Sequence, residues 1–321
     1  MLNGLYYFKQ EGKQFTPVEC TLFNYEELFR INASIQIMKR FFKNLSRSVA
    51  AQNAYKEFIE EVEKPHGSDP YAQAEVDRRF RAFIFEWKLY TEHWKNYIHE
   101  LSDSVYTDEF VTGYQELFDD LMDEAFMDSR FITAHVIRNY VSHANEAVTH
   151  CHIGKSVNEF CLTRNCLLDF LDKNIAKVQG KKRKDQLDEQ KAVIEASPEL
   201  LNLESVARDA MTVLRWLETN LMNYQIEPQT LQAISILTDA KRRIDEAGIE
   251  SDIWEFMSPT PLTMVDHVGD RSMTLETTIN GQRVKQTIFH DRLNWKGYQA
   301  VMDYILKIVA ATKTAEGEPK A

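Results

Sequence analysis

Apolar residues recur at intervals of three and four along most of the chain, which is the spacing of an amphipathic α-helix. The first such stretch predicts a helix that begins after Asn24, a residue suited to the N-cap position. The same pattern predicts helices from Tyr71 to about Leu101, from Thr107 to Met127, and across residues 131–150. Because the aromatic residues of the second helix fall on its apolar positions, we expect them to lie in the core.

Further helices are predicted after the fourth. They cover Ser156 to Val178, Leu200 to Met222, Pro228 to Ala247 and Trp295 to Ala311. The third of these has proline in its first turn and Gly248 just past its end, which are favoured start and stop residues. The chain has only 11 glycines and 8 prolines, so long stretches run without either and a mainly helical class is favoured.

Apolar and polar residues alternate near the two ends of the chain, and this pattern predicts β-strands there. One alternating segment turns at Glu11-Gly12, and the other turns at Asn280-Gly281, a pair that favours a tight hairpin. The fold class predicted is therefore mainly α, a helical bundle with a small β-hairpin element near each terminus, and the two hairpins are candidates for one shared sheet. The predicted domains are an N-terminal hairpin (1–22), the helical bundle (23–180), a helical extension (181–258), and a hairpin with a C-terminal helix (259–321).

The net charge of −11 argues against a surface built for nonspecific nucleic-acid binding, but the charge is unevenly spread. Residues 128–184 contain ten basic and five acidic residues, whereas residues 106–127 contain seven acidic residues and no Lys or Arg. The basic region ends in the run KKRK, from Lys181 to Lys184. Such a run is either a solvated loop or a nucleic-acid contact.

Location and cofactors are predicted from what the sequence lacks. No stretch approaches eighteen consecutive apolar residues, and the first residues lack the pattern of a signal peptide, so we expect a cytoplasmic protein with no membrane contact. Three of the four cysteines lie near His150 and His152, but without CxxC or HxxxH spacing, so no metal or other cofactor is predicted. The sequence also lacks the P-loop, GxGxxG and HExxH motifs.

The stretch RNYVSH, residues 138–143, carries the candidate chemistry. If residues 131–150 form one helix, an arc of apolar side chains faces an opposite arc that holds Arg138, Asn139 and His143. A solvated helix face usually carries Lys, Glu and Gln. Arginine instead offers a planar fork for phosphate oxygens, and histidine can move a proton near neutral pH.

These three residues resemble the Arg-polar-His signature of the HEPN superfamily, in the form common among bacterial defence and toxin members. The resemblance covers roughly residues 24–180. It implies an α-helical bundle that dimerises so that two motif helices face each other, and a metal-independent RNA endonuclease. The bare spacing is also met by Arg130 with His135 and by Arg283 with His290, but Arg283 lies in a predicted hairpin and Arg130 is followed by Phe131.

Three interpretations remain open at the level of sequence. The first is a catalytic ribonuclease, the second is a noncatalytic HEPN-like module that binds RNA or protein, and the third is an unrelated helical protein. In the first, His143 is the general base or acid, Arg138 holds the phosphate, and Asn139 fixes the histidine tautomer or positions a phosphate oxygen.

Cleavage without a metal needs more groups than one motif supplies, so a homodimer is predicted. The acidic segment before the motif can shield the site or bind a cationic partner such as an antitoxin. Candidate RNA contacts are Arg130, Lys181, Lys182, Arg183 and Lys184.

Overall fold

The structure is a computed structural model of the chain. It describes residues 4–11, 14–66, 70–101, 107–143, 145–154, 158–249, 253–258, 271–279, 282–294, 299–300, 302–303 and 305–307. Most of these residues are helical, which confirms the mainly α class. The chain forms two compact units: the first comprises residues 1–43, 100–111 and 223–321, and the second comprises residues 44–99 and 112–222.

The predicted helices occur in the predicted order with shifted bounds. The helices are α1 (Tyr25–Glu63), α2 (Ala72–Leu101), α3 (Asp108–Ala125), α4 (Ser129–Ser142), α5 (Arg164–Ile175), α6 (Lys181–Glu195), α7 (Leu203–Gln225), a π-helical turn (Ile226–Thr230) and α8 (Leu231–Glu246). Of these, α6 is a further helix that was not predicted. Of the helix predicted from Trp295 to Ala311, the described residues 299–300, 302–303 and 305–307 are helical, and the rest lies outside the described residues.

The strands of the first unit form one antiparallel sheet. The strands are β1 (Gly4–Glu11), β2 (Gln14–Glu19), β6 (Ile253–Ser258), β7 (Arg271–Ile279) and β8 (Gln282–Asn294), in the spatial order β2-β1-β6-β8-β7. Glu11 pairs with Gln14, and Ile279 pairs with Gln282, so both predicted hairpins are confirmed together with the sheet they share. The predicted turn residues Gly12, Asn280 and Gly281 lie outside the described residues.

The start of α1 is held by a reciprocal capping box. The Asn24 side chain accepts a hydrogen bond from the Glu27 backbone N–H at 3.0 Å, and the Glu27 carboxylate accepts one from the Asn24 N–H at 2.8 Å. These bonds satisfy two backbone donors that a helix start leaves without partners. The predicted N-cap at Asn24 is confirmed.

The second unit is packed around aromatic side chains. Phe58, Phe80 and Phe83 are fully buried, and the ring centroids of Phe58 and Phe80 lie 5.2 Å apart. Trp87 packs on Phe131 at 5.2 Å, and its indole N–H donates to the Ala210 carbonyl at 3.1 Å. The indole therefore contributes apolar area and has its one polar atom satisfied. As predicted, five aromatic residues of α2 belong to the core: Phe80, Phe83, Trp87, Tyr90 and Trp94.

The second unit contains a three-stranded sheet where parts of three helices were predicted, so the predicted bounds of those helices were wrong. The strands of this sheet are β3 (His150–Ile153), β4 (Asn158–Thr163) and β5 (Leu200–Asn202), and β4 is the central strand. The helix predicted across 131–150 therefore ends at Ser142, and the helices predicted from Ser156 and Leu200 begin later, at Arg164 and Leu203. Pairing of β4 with β5 joins segments far apart in sequence, and local periodicity carries no information about it.

The basic run forms the first turn of α6 rather than a loop. Gly180 is the N-cap and supplies no side chain, so the turn has no side-chain cap. Four cations in the first turn oppose the helix dipole, which favours negative charge at this end. This arrangement is electrostatically unfavourable unless an anion is nearby.

Candidate phosphate site on helix α4

Helix α4 has one buried face and one half-buried polar face. The Asp128 side chain caps its start by accepting from the Arg130 N–H at 2.8 Å. The buried face is formed by Phe131, Ile132, Ala134, Val136, Ile137 and Val141. Because residues three and four apart share a helix face, His135, Arg138 and Asn139 lie together on the half-buried side.

The end of α4 is fixed by contacts with α2. The Asp77 carboxylate accepts hydrogen bonds from the backbone N–H groups of Ala147 and Val148, at 2.5 and 2.9 Å, and Arg81 donates to the Asn145 carbonyl. The Asn145 side chain in turn donates to the Tyr140 carbonyl at 2.7 Å. These bonds satisfy backbone groups that a continued helix would have paired, so the chain leaves α4 after Ser142.

A cavity of about 360 Å³ lies beside the polar face of α4. Three cations from three helices line it: Lys88 of α2, Arg138 of α4 and Arg183 of α6. His135, Asn139, Gln186 and Gln190 also line it, and carboxylates are contributed by Glu92, Asp123 and Glu189. The volume is within the range of small-ligand sites.

Arg138 has few partners for its charge. Its guanidinium donates to the Asn139 side-chain oxygen at 3.2 Å and lies 5.8 Å from the centre of the Phe85 ring. Its Nε is buried without a hydrogen-bond partner. Among the described residues, no carboxylate lies within ion-pair distance of Arg138. A buried donor without a partner costs free energy, and one on a cation costs more.

His135 is neutral near pH 7 because of its surroundings. It packs on the rings of Phe126 and Phe131, at 5.5 and 6.4 Å. Burial, and after it the repulsion from Lys88, Arg183 and Arg138, together lower its pKa to about 4. Its Nδ1 is buried without a hydrogen-bond partner. The electrostatic environment of the imidazole is therefore positive.

Lys88 and the carboxylates differ in depth. Only 14% of the Lys88 side chain is exposed, and burial lowers its pKa despite an ion pair with Glu92 at 3.4 Å. Glu92, Asp123 and Glu189 are exposed. The less accessible part of the cavity is thus cationic, and the carboxylates lie where solvent screens them.

His143 lies apart from this cavity. It is the exposed C-cap of α4, its N–H donates to the Tyr140 carbonyl at 3.2 Å, and its ring lies 5.5 Å from that of Phe170. At 100° per residue, Arg138 and His143 would be separated by roughly 140° around a helix axis. Within one chain, the structure brings Arg138 and Asn139 to one cavity but leaves His143 outside it.

The predicted RNA-binding residues are also separated. Arg183 lines the cavity, whereas Lys181, Lys182 and Lys184 are exposed around it on the first turn of α6. Arg130 borders a different cavity, and its guanidinium is paired with Asp128 at 2.6 Å. The Asp128 pair raises the pKa of Arg130. Arg130 therefore already has a carboxylate partner, unlike Arg138.

Two lining residues were not assigned from the sequence. His135 appears there only as part of a chance match with Arg130, but its spacing of three from Arg138 already places the two on one helix face. Lys88 is a single cation between buried Trp87 and Tyr90 and gives no local signal. Its role depends on how α2 packs beside α4.

The chain matches no protein-family model, no curated protein and no solved structure. Among the residues that the structure describes, no group of three His, Cys, Asp or Glu side chains is arranged to hold a metal ion. Within the same residues, every helix is too short or too polar to cross a membrane. The HEPN resemblance thus rests on the motif and on the helical fold class.

Proposed function

We propose that this protein is a metal-independent RNA endonuclease of the HEPN type, acting as a homodimer in the cytoplasm, with a role of the toxin or phage-defence kind. The observation that carries the proposal is the Arg138 guanidinium. It lies in a cavity beside Asn139 and Arg183, has no carboxylate partner among the described residues, and has a buried Nε without a hydrogen bond. Guanidinium in this state is suited to bind a phosphodiester.

The chemistry follows from the RNA itself. The 2′-oxygen attacks the adjacent phosphorus, the bond to the 5′-oxygen breaks, and the products are a 2′,3′-cyclic phosphate and a 5′-hydroxyl. His143 transfers a proton at one of the two oxygens, and Arg138 balances the negative charge of the transition state. Asn139 positions a phosphate oxygen or the guanidinium, to which it is already bonded at 3.2 Å.

A dimer supplies what one chain lacks. His143 is exposed and lies outside the cavity that holds Arg138, so it is free to act on a phosphate held by the Arg138 of a second protomer. Such a composite site is consistent with the facing motif helices that the resemblance implies. It also explains how an imidazole remote from the arginine in one chain can serve the same phosphate.

A second candidate is RNA binding without cleavage. The location of His143 favours it, because a single chain offers a phosphate-binding cavity with no exposed imidazole beside it. In this case Arg138, Asn139 and Arg183 bind the RNA, and His143 has no chemical part.

One experiment separates the candidates. The purified chain is incubated with single-stranded RNA in EDTA, and the ends of the products are identified. The first candidate predicts cyclic or 3′-phosphate ends and a loss of roughly a hundredfold or more in His143→Ala. His152→Ala, at an exposed histidine of β3, is the matched control and should keep full activity. Binding of RNA without any cleavage by the wild-type chain supports the second candidate.

A further inference from the structure

We infer that the cavity beside α4 binds a phosphate group, and that His135 takes up a proton from solvent as the phosphate binds. The ligands are Lys88, Arg138 and Arg183. This inference goes beyond the proposed cleavage, because it concerns a single protomer and makes no use of His143. A phosphate can come from the RNA chain, from an RNA end or from a free nucleotide.

The first argument is charge without compensation. Lys88, Arg138 and Arg183 come from three helices to one cavity, and among the described residues only Lys88 has a carboxylate within ion-pair distance. Lys88 and Arg138 are half-buried and Arg183 is exposed, and concentrating cations at such a site is unfavourable unless an anion joins them. Arg183 also belongs to the basic first turn of α6, where the helix dipole adds to the positive potential.

The second argument is hydrogen bonding. The Nε of Arg138 and the Nδ1 of His135 are both buried without partners, and both residues line this cavity. Buried polar atoms in native proteins nearly always have a partner, so two on one cavity indicate a ligand that bonds with them. Phosphate oxygens accept charge-assisted hydrogen bonds from guanidinium and from protonated imidazole.

The third argument is the state of His135. Its charged neighbours are Lys88 and Glu92 from α2, Asp123 from α3, Arg138 on its own helix, and Arg183 and Glu189 from α6. Of these, the cations Lys88, Arg183 and Arg138 act with burial to hold the imidazole pKa near 4. A bound phosphate offsets these cations and raises the pKa, so the imidazole gains a proton.

Titration of the full chain with inorganic phosphate at about pH 6.5 tests the inference. Calorimetry in two buffers with different ionisation enthalpies gives the affinity and the number of protons taken up. Lys88→Met and Arg183→Gln should each weaken binding by about tenfold, the value of one charge-assisted hydrogen bond. His135→Gln should still bind, but with fewer protons taken up than by the wild-type chain, since any proton that the phosphate itself gains or loses is common to both. Arg208→Gln, at an exposed arginine of α7 paired with Glu204, is the matched control and should bind normally.

Defined outcomes overturn the inference. The first is no heat of phosphate binding at roughly 10 mM, a concentration well above the dissociation constant expected for three cationic ligands. The others are wild-type affinity in Arg183→Gln and wild-type proton uptake in His135→Gln. Arg183 is exposed, so its variant carries the test even where Lys88→Met does not fold.

The source of the phosphate is found with three further probes. These are a nucleoside 5′-monophosphate and one RNA oligomer with and without a 5′-phosphate, each in competition with inorganic phosphate. Competition that needs the terminal phosphate assigns the site to nucleotides or RNA ends, and equal competition by both oligomers assigns it to the RNA chain. Phosphate binding is measured whether or not RNA is cut, so failure of the proposed function and failure of this inference give different results.

Discussion

Arg243 and Arg138 each line a cavity of the protein, and the two arginines differ in their partners. In the first unit, Arg243 of α8 donates to the Glu27 carboxylate at 2.7 Å and to the Leu22 carbonyl, and it lies over the Phe23 ring at 4.6 Å. In the second unit, Arg138 has one amide partner and an unpartnered Nε. Arg243 is satisfied by the protein itself, whereas Arg138 is not.

The comparison separates a structural role from a binding role. The Arg243 contacts fasten the start of α1 to the end of α8, and the hydrogen bond from Arg243 lowers the pKa of Glu27. Arg138 stabilises little by its own contacts, since it faces two other cations. A charged side chain that lacks an opposite charge in the folded protein is a candidate to bind a ligand, whereas one that the protein already pairs is not.

The largest expected effect is that substitutions of the two arginines have opposite effects on RNA cleavage and on the free energy of unfolding. Arg138→Gln should reduce RNA cleavage by roughly a hundredfold or more while changing the free energy of unfolding by less than about 1 kcal/mol. Arg243→Gln should keep cleavage and lower that free energy by about 2 kcal/mol, because Glu27 and the Leu22 carbonyl lose a charged partner. Urea unfolding and the cleavage assay measure both. Equal loss of stability in both variants would contradict the comparison.

The next effect concerns acid stability. The folded-state pKa of His135 is about 4, below its ordinary value of 6.5, so the unfolded chain binds the proton more readily. The stability that the neutral imidazole supplies is present above pH 6.5 and is lost as the pH falls from 6.5 towards 4. His135→Gln should remove up to about 3 kcal/mol of this pH dependence. Unfolding curves across that range, with His152→Gln as control, measure it.

A half-buried carboxyl group should show the opposite sign. Glu218 of α7 is bonded to the buried Ser48, and burial raises its pKa. A raised carboxyl pKa means that its contribution is present below the ordinary value and is lost as the pH rises through the folded-state pKa. Glu218→Gln should therefore become more stable than the wild-type chain as the pH rises, by about 1 kcal/mol at pH 8. A difference independent of pH would show that the carboxyl group does not titrate.

The sequence predicts the helical parts of this molecule better than the site. Apolar spacing and the capping residue Asn24 are local signals, and they give the start of α1 and the course of α2 and α3. The short strands of the second unit depend on pairing between distant segments, so residues 145–163 were predicted as helix or left unassigned. The hairpin at Ile279 and Gln282 was predicted because its turn and its pairing are both local.

The candidate site shows the same division between local signals and contacts between distant segments. Arg138 and Asn139 were predicted as catalytic residues and Arg183 as an RNA contact, and packing of α6 beside α4 brings these three to one cavity. The early end of α4 depends on Asp77 and Arg81, more than sixty residues before it. No pattern within the motif contains that contact, so the position of His143 outside the cavity was not predicted.

The smallest effect tests whether the separation of Arg138 and His143 is bridged by a second copy of the chain. If each site takes its arginine from one protomer and its histidine from the other, a heterodimer of Arg138→Ala and His143→Ala contains one intact site. Random mixing makes half of the dimers mixed, so two inactive proteins should regain about a quarter of the wild-type activity after subunit exchange. The control is a mixture of either variant with the double variant Arg138→Ala, His143→Ala. It restores nothing, because every dimer then lacks either both arginines or both histidines. No recovery in the first mixture, with exchange confirmed by mass spectrometry, would mean that both residues must act from the same chain.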